Sequence, residues 1–161
     1  MSNVQEEVVI TREFNASLDM VFKAFSLAGS VQQFWAPEGW SMPVCTLDFR
    51  PGGEWRYNFR NAEGQEHWSR ATYLQIVPGK QIAYRSEFID AQGRKIESLP
   101  SSVFTFFFED LGGKTLLTVH VAGVTAADLE QMVAMGFKIG FAQSLDHLEQ
   151  YLLKEKKEWK K

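Results

Sequence analysis

The side chains of this sequence that could perform chemistry are few, and their spacing excludes several kinds of active site. The chain contains three histidines, at His67, His120 and His147. No second His or Cys stands near any of them at zinc-ligand spacing, so we expect no metal site. Ser144, Asp146 and His147 fall within one predicted helix and cannot converge as a catalytic triad. Gly52-Gly53 lacks the following Lys-Ser/Thr of a phosphate-binding loop, and we expect neither a cofactor nor a set of catalytic residues.

Two polar side chains in predicted strands are better candidates for a site. On the strand predicted over 65–77, Arg70 shares a face with Trp68, and on 114–122 His120 shares a face with Leu116. If these faces line a cavity, Arg70 would bind a ligand carboxylate or carbonyl, and His120 would act as hydrogen-bond donor or proton shuttle. The alternative is structural: an Arg70 paired with a nearby glutamate, and a His120 hydrogen-bonded at the sheet edge.

Aromatic residues, 14% of the chain, form the third candidate feature. Trp55 and Tyr57 alternate on one strand face, and Phe104 and Phe106 on another, a pattern typical of a core or of a pocket wall. Trp35 falls in a loop expected near a cavity mouth. The candidate ligand-binding residues are Trp35, Trp55, Tyr57, Trp68, Arg70, Phe104, Phe106, His120, Met132 and Phe137.

The elements that must position these residues follow from periodicity and turn signals. Ser17 predicts a helix cap before an apolar helical face over 18–25, and a short helix follows over 30–34. The predicted strands cover 8–14, 42–49, 54–60, 65–77, 80–89, 101–109 and 114–122. Short glycine-containing turns join the later strands and require antiparallel pairing.

A long amphipathic helix is predicted from Thr125 to Lys154, with Gly136 and Gly140 on its buried stripe. Glycine inside a helix costs about 1 kcal/mol relative to alanine, so these two predict close packing or room beneath the helix. The fold class is therefore α+β, with a bent antiparallel sheet of six or seven strands around a long C-terminal helix.

Length and charge limit the remaining possibilities. The 161 residues predict a single domain, 1–161, with a core over 8–153 and a charged tail over 154–161. The formal net charge of −3 disfavours nucleic-acid binding. We expect no membrane span, because no apolar run approaches about 20 residues. A cytoplasmic location is expected, because residues 1–7 lack the pattern of a secretory signal and Cys45 is the only cysteine.

Six short motifs along the chain resemble one known family in content and order. They are Arg12-Glu-Phe14, Val21-Phe22, Trp35-Ala-Pro37 with Gly39, Asp48-Phe-Arg-Pro-Gly-Gly53 with Trp55, Tyr73-Leu-Gln-Ile-Val-Pro78, and Gly136-Phe-Lys-Ile-Gly140 followed by Leu145 and Leu148. The sequence resembles the AHSA-type family, named after the activator of the heat-shock-protein-90 ATPase, in the START-like (SRPBCC) superfamily. Ser17, Ala36, Ala71 and Phe141 depart from the residues that the family often has.

The resemblance implies a helix-grip fold with an apolar cavity between the sheet and the C-terminal helix. It implies that the partner is a hydrophobic small molecule or lipid, held without a cofactor. Two alternatives stay open: an enzyme of the polyketide cyclase or aromatase kind using Arg70, His120 and Tyr57, and a co-chaperone or protein-interaction domain. An interior filled by side chains would favour the protein-interaction function. Arg70 and His120 side chains that converge on one point would favour the enzyme. An apolar cavity in which both residues are paired elsewhere would favour a carrier of a small molecule.

Overall fold

The computed structural model describes residues 7–159, and the side chains of 7–157. In chain order the elements are β1 (Glu7–Phe14), α1 (Leu18–Ser26), α2 (Ala28–Phe34), β2 (Trp40–Ser41), β3 (Cys45–Leu47), β4 (Glu54–Asn61), β5 (Glu66–Val77), β6 (Gln81–Ile89), β7 (Ser102–Asp110), β8 (Thr115–Gly123), α3 (Ala126–Ala134) and α4 (Phe137–Trp159). The predicted tail over 154–161 continues α4, and its last two residues lie outside the described range. No helix in this range is long and apolar enough to cross a membrane.

The sheet is antiparallel throughout, with strand order β1-β8-β7-β6-β5-β4-β2 and β3 also paired with β4. This confirms the antiparallel prediction. The strand predicted over 42–49 is replaced by the two short strands β2 and β3. Pro43, which has no backbone N–H to donate, lies between them. The sheet therefore has eight strands rather than six or seven.

Helix α1 begins as the sequence predicts. The Ser17 hydroxyl accepts a hydrogen bond from the Met20 backbone N–H at 3.3 Å, which satisfies one of the free donors of the first turn. The buried face of the helix consists of Val21, Ala24 and Phe25. This face packs on the inner surface of the sheet, where Phe25 meets Phe106 with ring centroids 5.2 Å apart.

The helix predicted over 125–154 is two helices, and this is a correction. Helix α3 ends at the cap residue Met135, and Gly136 follows with φ +83°, a left-handed conformation that ends a helix. Helix α4 starts at Phe137, so of the two glycines Gly136 and Gly140 only Gly140 lies inside a helix. A methyl group added at Gly140 would lie 3.7 Å from Pro37, which is ordinary contact.

The two glycines predict stability changes of opposite sign. Gly140→Ala should raise the free energy of unfolding by up to about 1 kcal/mol, because alanine is the better helix former and meets no clash. Gly136→Ala should lower it by about 1 kcal/mol, because an L-residue is strained at positive φ. Urea melts of both variants measure the difference. Equal effects of the same sign would contradict this account of the helix break.

Pairing registers divide the sheet residues into an inner and an outer face. The inner face carries Trp55, Tyr57, Ser69, Ala71, Tyr73, Ile82, Tyr84, Phe104, Phe106, Phe108, Thr115, Leu117, Val119 and Val121, all of them buried. These side chains form one core with the buried residues of the helices, among them Phe141, Leu145 and Leu148 of α4. The sheet thus wraps around α4, which is the predicted helix-grip arrangement.

Candidate functional site

The interior between sheet and helices is built largely of aromatic rings. Trp35, which follows α2, meets Trp55 at 5.1 Å and Phe141 at 5.7 Å between ring centroids, both edge-on. Trp55 stacks on Tyr57 at 4.5 Å with 29° between the planes. Phe104 stacks on Tyr84 at 5.2 Å. Edge-on and stacked pairs of this kind stabilise a core beyond their buried area, so the rings hold each other in fixed positions.

These rings nearly fill the interior. The remaining cavity measures about 10 Å³ and is lined by Phe25, Val31, Trp35, Trp55, Tyr73, Ile82, Tyr84 and Phe106. That volume is at the lower limit for one water molecule. Any larger molecule must therefore displace side chains or part of the helical cover.

Six of the predicted ligand-binding residues meet in this interior, and a seventh lies at its edge. Trp35, Trp55, Tyr57, Phe104 and Phe106 are buried in the core, as is Met132 of α3. Phe137, at the start of α4, is half-buried against the same core. The sequence did not single out Phe25 of α1, Tyr84 of β6 or Phe141 of α4, whose rings contribute as much to these walls.

Arg70 and Trp68 lie on the outer face, so the expectation that they face the interior is wrong. Arg70 is in register with Arg56, whereas the inner-face residue Tyr57 is in register with Ser69. The Arg70 guanidinium donates to the Gly93 carbonyl oxygen at 3.1 Å. It also pairs with two carboxylates, those of Glu87 at 3.3 Å and Glu54 at 3.9 Å. These are the structural partners that the sequence left as the alternative.

His120 is likewise on the outer face, which corrects the second expectation. Its Nδ1 lies 2.8 Å from the Glu7 carboxylate on the edge strand β1, and its ring meets Phe107 edge-on at 5.4 Å. The alternate set Leu117, Val119 and Val121 is buried instead. These three residues are all apolar, and this difference from the face that carries His120 would have identified the inner face of β8 from the sequence. Arg70 and His120 do not converge, and of the three residues that the enzyme alternative named only Tyr57 lies in the interior.

The interior contains the phenol hydroxyl groups of three tyrosines, Tyr57, Tyr73 and Tyr84, each of them at least nine-tenths buried. Burial raises the pKa of Tyr57, and the neighbouring Trp35 and Ser69 side chains partly offset this by favouring the ionised phenol. Burial also raises the pKa of Tyr73 and of Tyr84. All three phenols therefore stay protonated and remain neutral hydrogen-bonding groups at neutral pH.

The three tyrosines predict a steep loss of stability at alkaline pH. Above the ordinary pKa of about 10 the unfolded chain loses tyrosine protons that the folded protein keeps, so the free energy of unfolding falls as pH rises. We expect a slope approaching about 1.4 kcal/mol per pH unit for each tyrosine. Urea melts between pH 8 and 11.5 measure it. Tyr84→Phe should reduce the slope, and unchanged stability up to pH 11 would contradict the burial of these groups.

A larger opening lies at the end of the sheet where β5 begins and β6 ends. It is a cleft of about 320 Å³, lined by Glu66, His67, Trp68, Phe88, Ile89, Asp90, Ala91, Ile96 and Leu99. Hydrogen bonds from the backbone N–H groups of Arg94 and Gln92 lower the pKa of Asp90 and fix the turn on one side of the cleft. Half-buried rings also occur at this end of the inner face, on Phe59 and Phe88.

Helix α4 holds the loop that carries Trp35. The Ser144 hydroxyl donates to the Trp35 carbonyl oxygen at 2.5 Å, and His147 Nδ1 lies 2.8 Å from the Ala36 carbonyl oxygen. Ser144 and His147 therefore position the loop and are not the parts of a triad. In the described part of the chain no three His, Cys, Asp or Glu side chains come together as a metal site would require.

Comparison with known proteins places the chain. The family model described as "Activator of Hsp90 ATPase homolog 1-like protein" matches residues 15–153. No curated protein matches. Similar solved structures include a protein from Arthrobacter aurescens, with 19% identity, a TM-score of 0.86 and coverage of 92% of this chain and 86% of that one.

Two further structures agree with this placement. A protein from Rhizobium leguminosarum has 30% identity and a TM-score of 0.70, covering 94% of this chain and 96% of its own. The AHSA1 protein from Silicibacter pomeroyi has 21% identity and a TM-score of 0.75, and the match covers 93% of this chain and 99% of that one. Motifs, fold and family model agree, and this chain belongs to the family of Activator of Hsp90 ATPase homolog 1-like proteins, with the START-like helix-grip fold.

Proposed function

We propose that the protein binds an apolar small molecule on the inner face of the sheet, which the molecule reaches through the cleft at the sheet end. The observation that supports this is an aromatic surface that continues from the core to the mouth of the fold. Phe59 and Phe137 are only half-buried although both pack against the core, and the half-buried Phe88 lines the cleft itself. Apolar rings left partly open beside a cleft of about 320 Å³ fit the size and lining of a ligand pocket.

The pairing register supports this route, because it places inner-face residues in rows that lead from the cleft toward the interior. Phe88 pairs with Ser69, and Ser69 pairs with Tyr57, so these three form one row across the inner face. The next row runs from Trp55 to Ala71 and Ser86. Ser69, Ala71 and Ser86 on this path are small, so the space above them must be filled by the helices that cover the sheet.

In this proposal helix α3 is the part of the helical cover that moves. Helix α3 contributes two buried side chains, Leu129 and Met132, and its Gln131 amide donates to the Ser98 carbonyl oxygen at 3.2 Å. Gly136 joins it to α4 in a conformation that only glycine adopts readily. Since the remaining cavity holds about 10 Å³, the ligand enters by outward displacement of α3.

The test is a titration with the neutral fluorescent probe N-phenyl-1-naphthylamine. We expect saturable binding of one molecule per chain. Leu99→Trp, which narrows the cleft, should weaken binding at least about tenfold by occupying ligand space. Leu74→Trp is the matched control, because Leu74 is 54% exposed at the β5 irregularity. Arg70→Ala should leave affinity unchanged, because Arg70 lies on the outer face.

Absence of saturable binding would overturn the proposal. Equal weakening by Leu99→Trp and Leu74→Trp would overturn the location. Native mass spectrometry of the protein purified from its own host, followed by solvent extraction, then identifies the natural ligand class.

A second candidate function is stimulation of an Hsp90-type chaperone ATPase, as the family description names. The observation that favours it is an exposed apolar patch at the α3–α4 junction, where Val133, Met135 and Ile139 are 41%, 50% and 69% exposed. Patches of this kind mark interaction surfaces. The nearly filled interior also favours a surface role. Chaperone ATPase rates with the wild type and with Ile139→Glu test it: no stimulation, or equal stimulation by both, would contradict a role for this patch.

A further inference from the structure

We propose that the ligand carries one uncharged hydrogen-bond acceptor, such as a carbonyl oxygen, which the indole N–H of Trp55 binds; this inference rests on the proposed function. Trp55 is 4% exposed, and its Nε1 is buried without a hydrogen-bond partner in the described part of the chain. Buried N–H groups in native proteins almost always have an acceptor. A donor left without one inside a binding fold is explained when the acceptor arrives with the ligand.

The Trp55 ring cannot turn to find another partner. It is stacked on Tyr57 and meets Trp35 and Tyr84 edge-on, at 5.1 and 5.8 Å between centroids. Burial raises the pKa of the Cys45 thiol, and the interaction of its sulfur with the indole N–H partly offsets this rise, but sulfur is a weak acceptor and a carbonyl oxygen would replace it favourably. The N–H is therefore held in one place by packing, which spares a ligand the cost of ordering it.

The position of the donor matches the path of entry. Trp55 lines the remaining cavity, together with Tyr73 and Tyr84. It also stands one row inward from the Tyr57–Ser69–Phe88 row that leads to the cleft. A molecule that follows this path meets the Trp55 ring at its inner end.

The acceptor must be uncharged because nothing inside would balance a charge. The buried residues of the described chain include Ser, Thr and Asn but no Lys, Arg, Asp or Glu. A buried carboxylate or ammonium without a partner is strongly unfavourable. The phenols of Tyr73 and Tyr84 line the same cavity and offer a neutral second contact. The ligand class is therefore a mostly hydrocarbon, ring-containing molecule with a ketone, ester or amide carbonyl.

The experiment compares two probes of nearly equal shape, 2-acetylnaphthalene and 2-ethylnaphthalene, by competition with N-phenyl-1-naphthylamine. We expect the ketone to bind about tenfold more tightly, the size expected for one buried hydrogen bond. Trp55→Phe, which keeps an aromatic ring and removes the N–H, should abolish this preference. Trp40→Phe is the matched control and should keep it, because Trp40 in β2 lines neither the remaining cavity nor the cleft.

A second readout needs no folded variant. In protein labelled with ¹⁵N-tryptophan, one of the five indole N–H signals should move downfield with the ketone and stay in place with the ethyl analogue. Equal affinity for the two probes, a preference that survives Trp55→Phe, or indole signals indifferent to the ketone would each overturn the inference. If N-phenyl-1-naphthylamine binds while neither naphthalene competes, the inference fails and the proposed function stands. Failure of all three probes overturns both.

Discussion

Replacing Phe106 with alanine should lower the free energy of unfolding by about 4 kcal/mol, the size expected when a fully buried aromatic ring is removed. Phe106 is 1% exposed and lies between the rings of Phe25, Tyr84 and Phe141. It also lines the remaining cavity. Removing its ring takes away the apolar surface buried on folding and enlarges a void that rigid neighbouring rings cannot collapse to fill.

The neighbouring residue on the same strand provides the control. Phe107 points to the outer face and is 41% exposed, so Phe107→Ala should cost less than about 1 kcal/mol. Urea melts of both variants, under identical conditions, give the two values. Losses of similar size would mean that the inner and outer faces of β7 are not distinguished by burial, which would contradict the assignment of the core.

Gly123→Ala should be, together with Gly53→Ala, one of the two most disruptive glycine substitutions that involve no left-handed backbone, with a loss of about 3 kcal/mol or more. Gly123 is the last residue of β8. A methyl group there would collide with the Thr125 carbonyl oxygen and lie 2.5 Å from the Leu129 backbone nitrogen. Both are backbone atoms of the turn into α3, so relief requires the helix start to move.

That movement would break the cap of α3. The Thr125 hydroxyl accepts from the Asp128 N–H at 3.1 Å, and the Asp128 carboxylate accepts from the Thr125 N–H at 3.2 Å, a reciprocal capping box. Gly29→Ala is the control, because the space around Gly29 in α2 is open and no loss is expected. A cost for Gly123→Ala no greater than that for Gly29→Ala, measured by thermal and urea unfolding, would refute the close approach.

The sequence allowed the fold to be predicted almost completely, because each element carries a local signal. Ser17 marks the start of α1, and alternation with short turns marks the antiparallel strands. The one helix boundary that was missed, at Gly136, carries a signal that fits two outcomes. A glycine on an apolar stripe is compatible both with close packing in a continuous helix and with a left-handed end, and only the backbone distinguishes them.

The site was predicted in part, and the errors have one physical cause. A strand's two faces differ by a shift of one residue, so choosing the wrong face inverts every assignment on it. On β5 the outer residues Trp68, Thr72 and Leu74 are as bulky or apolar as the inner ones, and the register shift between Tyr73 and Gln75 interrupts the alternation. Arg70 and His120 were therefore assigned to the interior, where long-range pairing excludes them.

Helix α4 is attached unevenly along its length, and this has a consequence for exchange with solvent. Beyond its first two turns the helix is bonded to the rest of the fold, by Asp146 to Arg12 of β1 at 2.7 Å and by Tyr151 to Ser30 of α2 at 2.9 Å. Its first turn has no comparable bond to the sheet among the contacts described for residues 137–140. Local opening requires the least free energy where few such contacts exist. Deuterium should therefore enter the amides of α3 and of the first turn of α4 first, and reach Leu145 to Leu152 only when the whole domain unfolds.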